Sequence, residues 1–208
     1  GAGCWVDSFC DSKINWFVDR PDGPGYPRFT EARREKQTCV PDYTLITTNS
    51  NWYLYDSEWQ RSFLRFITEY AFQHSDELII WAPHPAENNH CSPIRNYIEN
   101  LLPPNIFIYG NSNQLKFYGI DSTEDLIASC KKGITTVSTC LIDYELNNKN
   151  VLVLTNNATE NLAKSLKSAS TIKLPLQPEN PLNFTKLKTG LLFPYDVKIF
   201  DKLIDSSL

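Results

Sequence analysis

At 208 residues, the chain is long enough to bury a hydrophobic core as one domain with extensions. Its composition, 41% hydrophobic and 21% charged, is that of an ordinary globular protein, and its apolar runs are far too short to span a bilayer. The net charge of −4 argues against duplex nucleic acid as a general partner, because there is no excess of Lys and Arg to neutralise phosphates.

The chain contains six cysteines, and no two of them form a CxxC pair, so neither a zinc site nor any other metal centre is predicted. A domain of this size needs no covalent staples, which favours reduced thiols, although disulfides among the first three cysteines stay open. Cys130 and Cys140 lie in apolar surroundings and are expected to act as small buried hydrophobes. The other four are Cys4, Cys10, Cys39 and Cys91.

Secondary-structure signals divide the chain into three segments. Residues 1–41 are predicted to be irregular because turn-forming residues are dense there. Between residues 42 and 170, buried β-branched runs alternate with amphipathic patterns, which predicts an α/β fold with a doubly wound, mostly parallel five-stranded sheet. Residues 171–208 are broken by prolines and are predicted to form an irregular extension with a terminal helix. The strands are expected at 43–48, 77–82, 106–109, 133–137 and 150–154, and the helices at 56–73, 93–102, 123–130, 139–146, 159–168 and about 195–204.

His84 is the first candidate functional residue. Pro83 cannot continue a central strand, so His84 is expected in the loop at the carboxyl end of its strand, where ligands bind in open α/β sheets. The flanking prolines, Pro83 and Pro85, restrict the backbone and would fix the position of the imidazole. An imidazole there can donate a hydrogen bond to a phosphate oxygen. The alternative is an ordinary surface histidine in a turn.

A run of hydroxyl side chains at 135–139 follows a later strand and leads into a helix. Ser138 or Thr139 is expected to cap that helix, whose first N–H groups could bind an anion together with the hydroxyls. Asp143, one turn further on, could reach a ribose. The alternative is plain helix capping, which needs only one hydroxyl.

Four further residues are weaker candidates. Thr48 and Asn49 follow the first strand and are expected to reach the same edge of the sheet, and Glu87 could hydrogen-bond a ligand hydroxyl. The alternatives are an ordinary loop and a solvated carboxylate. Asp22 lies in a proline- and glycine-rich turn and could act as a general base, although turn chemistry alone accounts for an aspartate there.

Taken in order, these segments suggest a family. The chain reads TTNSNW after the first strand, APHPAE after the second, then EDLIASCKKGITTVST, and finally VLVL. This order resembles the C-terminal, donor-binding half of GT-B glycosyltransferases, in particular bacterial surface-polysaccharide enzymes. These are the sialyltransferases with an HP motif, the capsule Kdo-transferases and the CDP-glycerol-type transferases. The resemblance covers residues 42–168.

The resemblance implies a role for each candidate residue. Residues 42–170 would form a Rossmann-like domain that binds a nucleotide sugar. His84 would contact the phosphate of the donor, and Ser138 and Thr139 would bind phosphate at the helix start, with Thr48, Asn49, Pro85 and Glu87 lining the donor site. Asp143 stands where Glu is more usual at the ribose. Asp22, in Pro21-Asp22-Gly23, is similar to the base of an acidic-acidic-Gly motif, but the first acid is missing.

The implied function is that of a metal-independent glycosyltransferase without a cofactor. It would move sialic acid or Kdo from a CMP-activated donor to a glycan or lipid-linked glycan acceptor in surface-polysaccharide or lipooligosaccharide synthesis. A cytoplasmic location is expected, with peripheral association at the inner face of the membrane as an open alternative. Residues 1–41 are too few to form the second half of a GT-B enzyme. A non-catalytic nucleotide- or glycan-binding module, a fragment lacking the acceptor domain, and another α/β enzyme such as a sugar-nucleotide epimerase or a phosphatase therefore remain as alternatives.

Overall fold

The computed structural model describes residues 40–48, 55–84, 97, 100–110, 120–164, 170–175 and 182–187. Within these residues, seven strands form one sheet. The strands are β1 Tyr43–Thr47, β2 Leu78–Ala82, β3 Ile106–Ile108, β4 Lys132–Thr136, β5 Asn150–Thr155, β6 Ser170–Lys173 and β7 Thr185–Lys186. The helices in the same ranges are α1 Ser57–Gln73, α2 Thr123–Ser129, α3 Cys140–Leu146 and α4 Asn157–Lys164.

The strands lie in the order β3-β2-β1-β4-β5-β6, and each neighbouring pair is parallel. The predicted doubly wound, mostly parallel α/β fold is therefore confirmed, and all five predicted strands are present. The sheet has two strands more than the sequence predicts. β6 has only four residues, of which Ile172 alone is buried, and β7 is a two-residue strand antiparallel to β5, so neither produces a buried apolar run.

The helices cover both faces of the sheet. The buried side of α1 packs on one face, together with Ile46 of β1 and Ile134 of β4. Helices α2, α3 and α4 pack on the opposite face, where Leu45 and Val153 lie. Because the chain leaves β1 toward one face and β4 toward the other, the topological switch point lies between these two neighbouring strands.

The predicted periodicity of α1 is confirmed, and its ends have defined partners. Asp56 caps the helix by accepting a hydrogen bond from the Trp59 backbone N–H at 2.8 Å. The Trp59 indole donates to the Thr155 carbonyl at 2.9 Å, which ties the start of α1 to the end of β5. The buried residues that recur at three- and four-residue spacing are Trp59, Phe63, Phe66, Ile67, Tyr70 and Ala71.

A half-buried group of polar side chains, here called the amino-edge cluster, joins β1, β2 and β4 at the edge opposite their carboxyl ends. It consists of Thr44, Tyr70, Glu77 and Lys132. Glu77 accepts from the Thr44 hydroxyl at 2.7 Å and from Tyr70 at 3.3 Å, and it forms an ion pair with Lys132 at 3.3 Å. Burial works to raise the pKa of Glu77, but the Thr44 hydrogen bond and the Lys132 ammonium outweigh it, so the pKa is below its ordinary value.

The two predicted extensions are only partly covered by the described residues. β6 begins at Ser170, where the sequence predicted the domain to end, and β6 and β7 both belong to the sheet. The predicted irregular segment 1–41 and the helix near 195–204 lie almost wholly outside the described residues. Among the helices that the structure describes, none is long and apolar enough to cross a membrane.

Candidate functional site

The strand register brings the two main candidate segments to one edge of the sheet. Thr47, the last residue of β1, pairs with Ala82 of β2 on one side and with Thr135 of β4 on the other. His84 therefore follows β2 two residues beyond this level, and Ser138 follows β4 three residues beyond it. Since neighbouring strands lie about 4.8 Å apart, the backbones of β2 and β4 are separated by about 10 Å across the end of β1.

The end of β2 carries an exposed histidine and a buried tryptophan. His84 is exposed and follows Pro83, as predicted from the two prolines. The Trp81 indole is fully buried and donates to the Thr48 hydroxyl at 3.3 Å, which joins the ends of β2 and β1. Thr48 is itself buried, so the polar loop after β1 begins beneath the surface of this edge.

The Ser138–Thr139 segment only partly follows the predicted capping. Thr139 is the residue before α3, but its backbone is already helical and its side chain makes no capping hydrogen bond. The Ser138 hydroxyl instead accepts from the Cys140 backbone N–H at 3.3 Å. One hydroxyl of the pair thus has a structural partner, while the half-buried Thr139 hydroxyl does not serve as the cap.

Asp143 lies in the first turn of α3, at the position from which a ribose contact was predicted. It is only 4% exposed, and its backbone carbonyl accepts hydrogen bonds from the backbone and side chain of Asn147. Because the side chain is largely covered by protein, its contact with a ribose stays a prediction.

A buried chain of hydroxyl groups lies beneath the switch point, and sequence reasoning did not identify it. The Thr47 hydroxyl donates to the Thr135 hydroxyl at 2.7 Å, and Thr135 donates to the Thr136 carbonyl at 3.0 Å. The Tyr144 hydroxyl lies 3.3 Å from the Thr47 hydroxyl. These contacts, here called the hydroxyl chain, link α3 to the ends of β1 and β4. The threonines at the ends of both strands were the only signal for it in the sequence.

A second concavity of about 320 Å³ opens at the carboxyl ends of β5 and β6, between the starts of α1 and α4. Its described lining presents two carboxylates and two amides above an apolar wall, and no Lys or Arg belongs to it. Such a lining suits hydroxyl or ammonium groups better than phosphate. The lining residues are Asp56, Glu58, Trp59, Asn156, Asn157, Ala158, Leu174 and Pro175.

Several predicted residues lie outside the described part of the chain. These are Asn49, Pro85, Glu87 and Asp22, together with Cys4, Cys10, Cys39 and Cys91. Of the two cysteines that the structure describes, Cys130 is buried and Cys140 half-buried, and neither is in a disulfide. Burial raises the pKa of the Cys130 thiol to about 12, consistent with its predicted role as a small buried hydrophobe.

Comparison with known proteins supports the fold class. No protein-family model matches the chain, and no curated protein matches it. Among solved structures, the chain is similar to UDP-GlcNAc 2-epimerase from Methanocaldococcus jannaschii in complex with UDP-GlcNAc and UDP. The TM-score is 0.51 at 13% identity, over 81% of this chain and 45% of that chain. A second structure of the epimerase gives a TM-score of 0.50 at 13% identity, over 79% of this chain and 46% of that chain.

This similarity defines a class of fold. The chain has a Rossmann-like α/β fold of GT-B type, as the sequence predicted. It spans less than half the length of the epimerase chains that it matches. At 13% identity the likeness concerns the fold and does not assign a substrate.

Proposed function

We propose that this chain binds a nucleotide-activated sugar at the switch point between β1 and β4. His84 and the Ser138–Thr139 segment would hold the phosphate from the two sides of β1. The observation that carries the proposal is the strand register, which sets both segments at one edge of the sheet. In doubly wound sheets, the crevice at the switch point is the usual ligand site.

The chemistry of the two segments suits a phosphate that becomes a leaving group. The His84 imidazole and the hydroxyls of Ser138 and Thr139 are hydrogen-bond donors, and donors fixed before the reaction stabilise charge that develops as a glycosidic bond breaks. The apolar faces packed beneath the edge give these loops a rigid base.

The finer proposal is a metal-independent glycosyltransferase that uses CMP-sialic acid or CMP-Kdo and transfers the sugar to a glycan acceptor. The donor choice rests on the HP and Ser/Thr motifs. In this reaction a carboxylate deprotonates the acceptor hydroxyl, and Asp22 is the residue proposed for that role.

A second candidate is a nucleotide-sugar epimerase, which the fold similarity to UDP-GlcNAc 2-epimerase favours. A non-catalytic nucleotide-binding module would share the same site. Incubation with CMP-sialic acid plus a lactose acceptor, and separately with UDP-GlcNAc, separates the three. Sialyl transfer supports the transferase, formation of the C2 epimer supports the epimerase, and binding without turnover supports the module.

The binding site itself is tested by calorimetric titration with CMP, CDP, UDP and GDP. Exchange of a charge-assisted phosphate contact typically changes binding about tenfold or more, so His84→Ala should weaken the preferred nucleotide by at least about tenfold. The matched control is His74→Ala. His74 stacks on Tyr70 at a ring separation of 4.2 Å, at the amino edge of the sheet, so its loss should leave affinity unchanged. No binding of any nucleotide at millimolar concentration would overturn the proposal.

A further inference from the structure

We infer that Tyr144 is a positioning residue for the phosphate-binding segment and acts through the hydroxyl chain. The inference rests on the proposed nucleotide site and adds residues to it that do not themselves touch the ligand. Four residues form the chain, and each is at most 1% exposed: Thr47, Thr135, Thr136 and Tyr144.

The direction of each hydrogen bond in the chain follows from proton counting. A hydroxyl has one hydrogen to donate. Thr47 donates its hydrogen to Thr135, and Thr135 donates to the Thr136 carbonyl. The Thr47 oxygen can therefore only accept from Tyr144, so the chain runs in one direction, from Tyr144 to the backbone at the end of β4.

The chain connects the three elements that surround the switch point. Tyr144 lies on α3, Thr47 ends β1, and Thr135 and Thr136 end β4. Residues 137–139 bridge the Thr136 carbonyl and the first turn of α3, where Ser138 accepts from the Cys140 N–H. The phosphate-binding segment is thus fixed to the sheet at one end and to α3 at the other, and the Tyr144 hydroxyl joins these two supports.

A purely structural role predicts something different, and Tyr43 provides the comparison. Tyr43 is also fully buried, packs on the same face, and donates its hydroxyl to the Leu126 carbonyl at 2.7 Å. It begins β1, four residues before Thr47, so the two lie about 13 Å apart along the strand. Loss of either tyrosine hydroxyl removes one buried hydrogen bond, but only the Tyr144 hydroxyl supports the phosphate-binding segment.

The experiment compares Tyr144→Phe with Tyr43→Phe. Urea unfolding gives the stability of each variant, and calorimetry gives its affinity for whichever of CMP, CDP, UDP and GDP the unmodified chain binds most tightly. Both variants should lose stability, whereas Tyr144→Phe alone should bind the nucleotide about threefold to tenfold more weakly, as expected for one lost hydrogen bond. Equal affinities of the two folded variants would overturn the positioning role.

Substitutions of Thr47 provide a second test that does not alter the tyrosine. Thr47→Ser keeps the hydroxyl and should retain nucleotide affinity, whereas Thr47→Val breaks the chain and should weaken binding as Tyr144→Phe does. The double variant Thr47→Val/Tyr144→Phe should bind no more weakly than Thr47→Val, because both changes break one chain. Additive losses would contradict it. If the unmodified chain binds no nucleotide, the proposed function fails first, and the positioning role fails with it.

Discussion

The ring of Tyr144 lies directly over Gly133, so close that a Cβ at position 133 would overlap the ring carbons and the hydroxyl oxygen. Gly133 is in β4 and Tyr144 is in α3, so this contact seats the helix against the strand that it follows. The close approach also places the tyrosine hydroxyl beside Thr47 of the neighbouring strand. Gly133 is therefore required by packing.

Gly133→Ala should destabilise the fold. The added methyl group meets a rigid, fully buried ring, and overpacking of this kind costs about 1–3 kcal/mol. Urea unfolding of the purified variant measures the loss. In a Tyr144→Leu background the ring is gone, so the same methyl group should cost much less. An equal cost in both backgrounds would show that the contact with Tyr144 is not the reason for the glycine.

The two hydroxyls before α3 should separate on substitution. Ser138 accepts from the Cys140 N–H, so Ser138→Ala should reduce stability by about 0.5–1.5 kcal/mol as well as weaken nucleotide binding. Thr139 makes no capping hydrogen bond, so Thr139→Val should weaken binding with little change in stability. Unfolding and titration on the same samples check both. If Thr139→Val leaves the affinity unchanged, the Thr139 hydroxyl does not contact the ligand.

The amino-edge cluster predicts a pH dependence of stability. The folded pKa of Glu77 lies below its unfolded value, which is near 4.3. The stabilisation by Glu77 is therefore complete above that value and is lost as the pH falls through the folded pKa. Glu77→Gln should cost about 1–3 kcal/mol at pH 7, and the difference from the unmodified chain should shrink below about pH 4. Urea unfolding across this pH range measures it.

The control for this prediction is the surface ion pair between Asp42 and Lys131. Its charged atoms are 3.8 Å apart, and the side chains are 85% and 62% exposed. Asp42→Asn should change stability by no more than about 0.5 kcal/mol. A loss as large as that of Glu77→Gln would mean that net charge, and not the half-buried cluster, sets the pH dependence.

Cys130 should resist alkylation in the native state. Its thiol is buried, and burial raises its pKa to about 12, so the reactive thiolate is scarce at pH 8. Iodoacetamide treatment followed by peptide mapping should find Cys130 unmodified in the folded chain and modified in urea. Rapid modification without denaturant would show that the helix preceding β4 opens readily.

Much of the fold could be predicted from local pattern. Strands β1, β2 and β5 are continuous buried runs, and α1 repeats its apolar residues at helical spacing, so short windows of sequence are sufficient. β6 could not be predicted in this way, because it is a short strand with one buried residue and takes its hydrogen bonds from β5.

The candidate site was only partly accessible from the sequence. Placement of His84 and Ser138 beyond strand ends followed from Pro83 and from the hydroxyl run, but their position on either side of β1 depends on the strand order. The Tyr144–Thr47 contact spans 97 residues, and no local spacing encodes it. The helical backbone of Thr139 likewise follows from how α3 seats against β4, which the sequence pattern alone does not fix.

The most direct test of a nucleotide site at the switch point is an amide ¹H–¹⁵N correlation spectrum recorded during titration with CMP and with UDP. The account predicts saturable shifts of the Thr48, His84, Ser138 and Thr139 amides with at least one nucleotide. The Glu77 and Lys132 amides, at the amino edge of the sheet, should stay in place. Shifts confined to another part of the surface, or no shifts at millimolar nucleotide, would contradict the account.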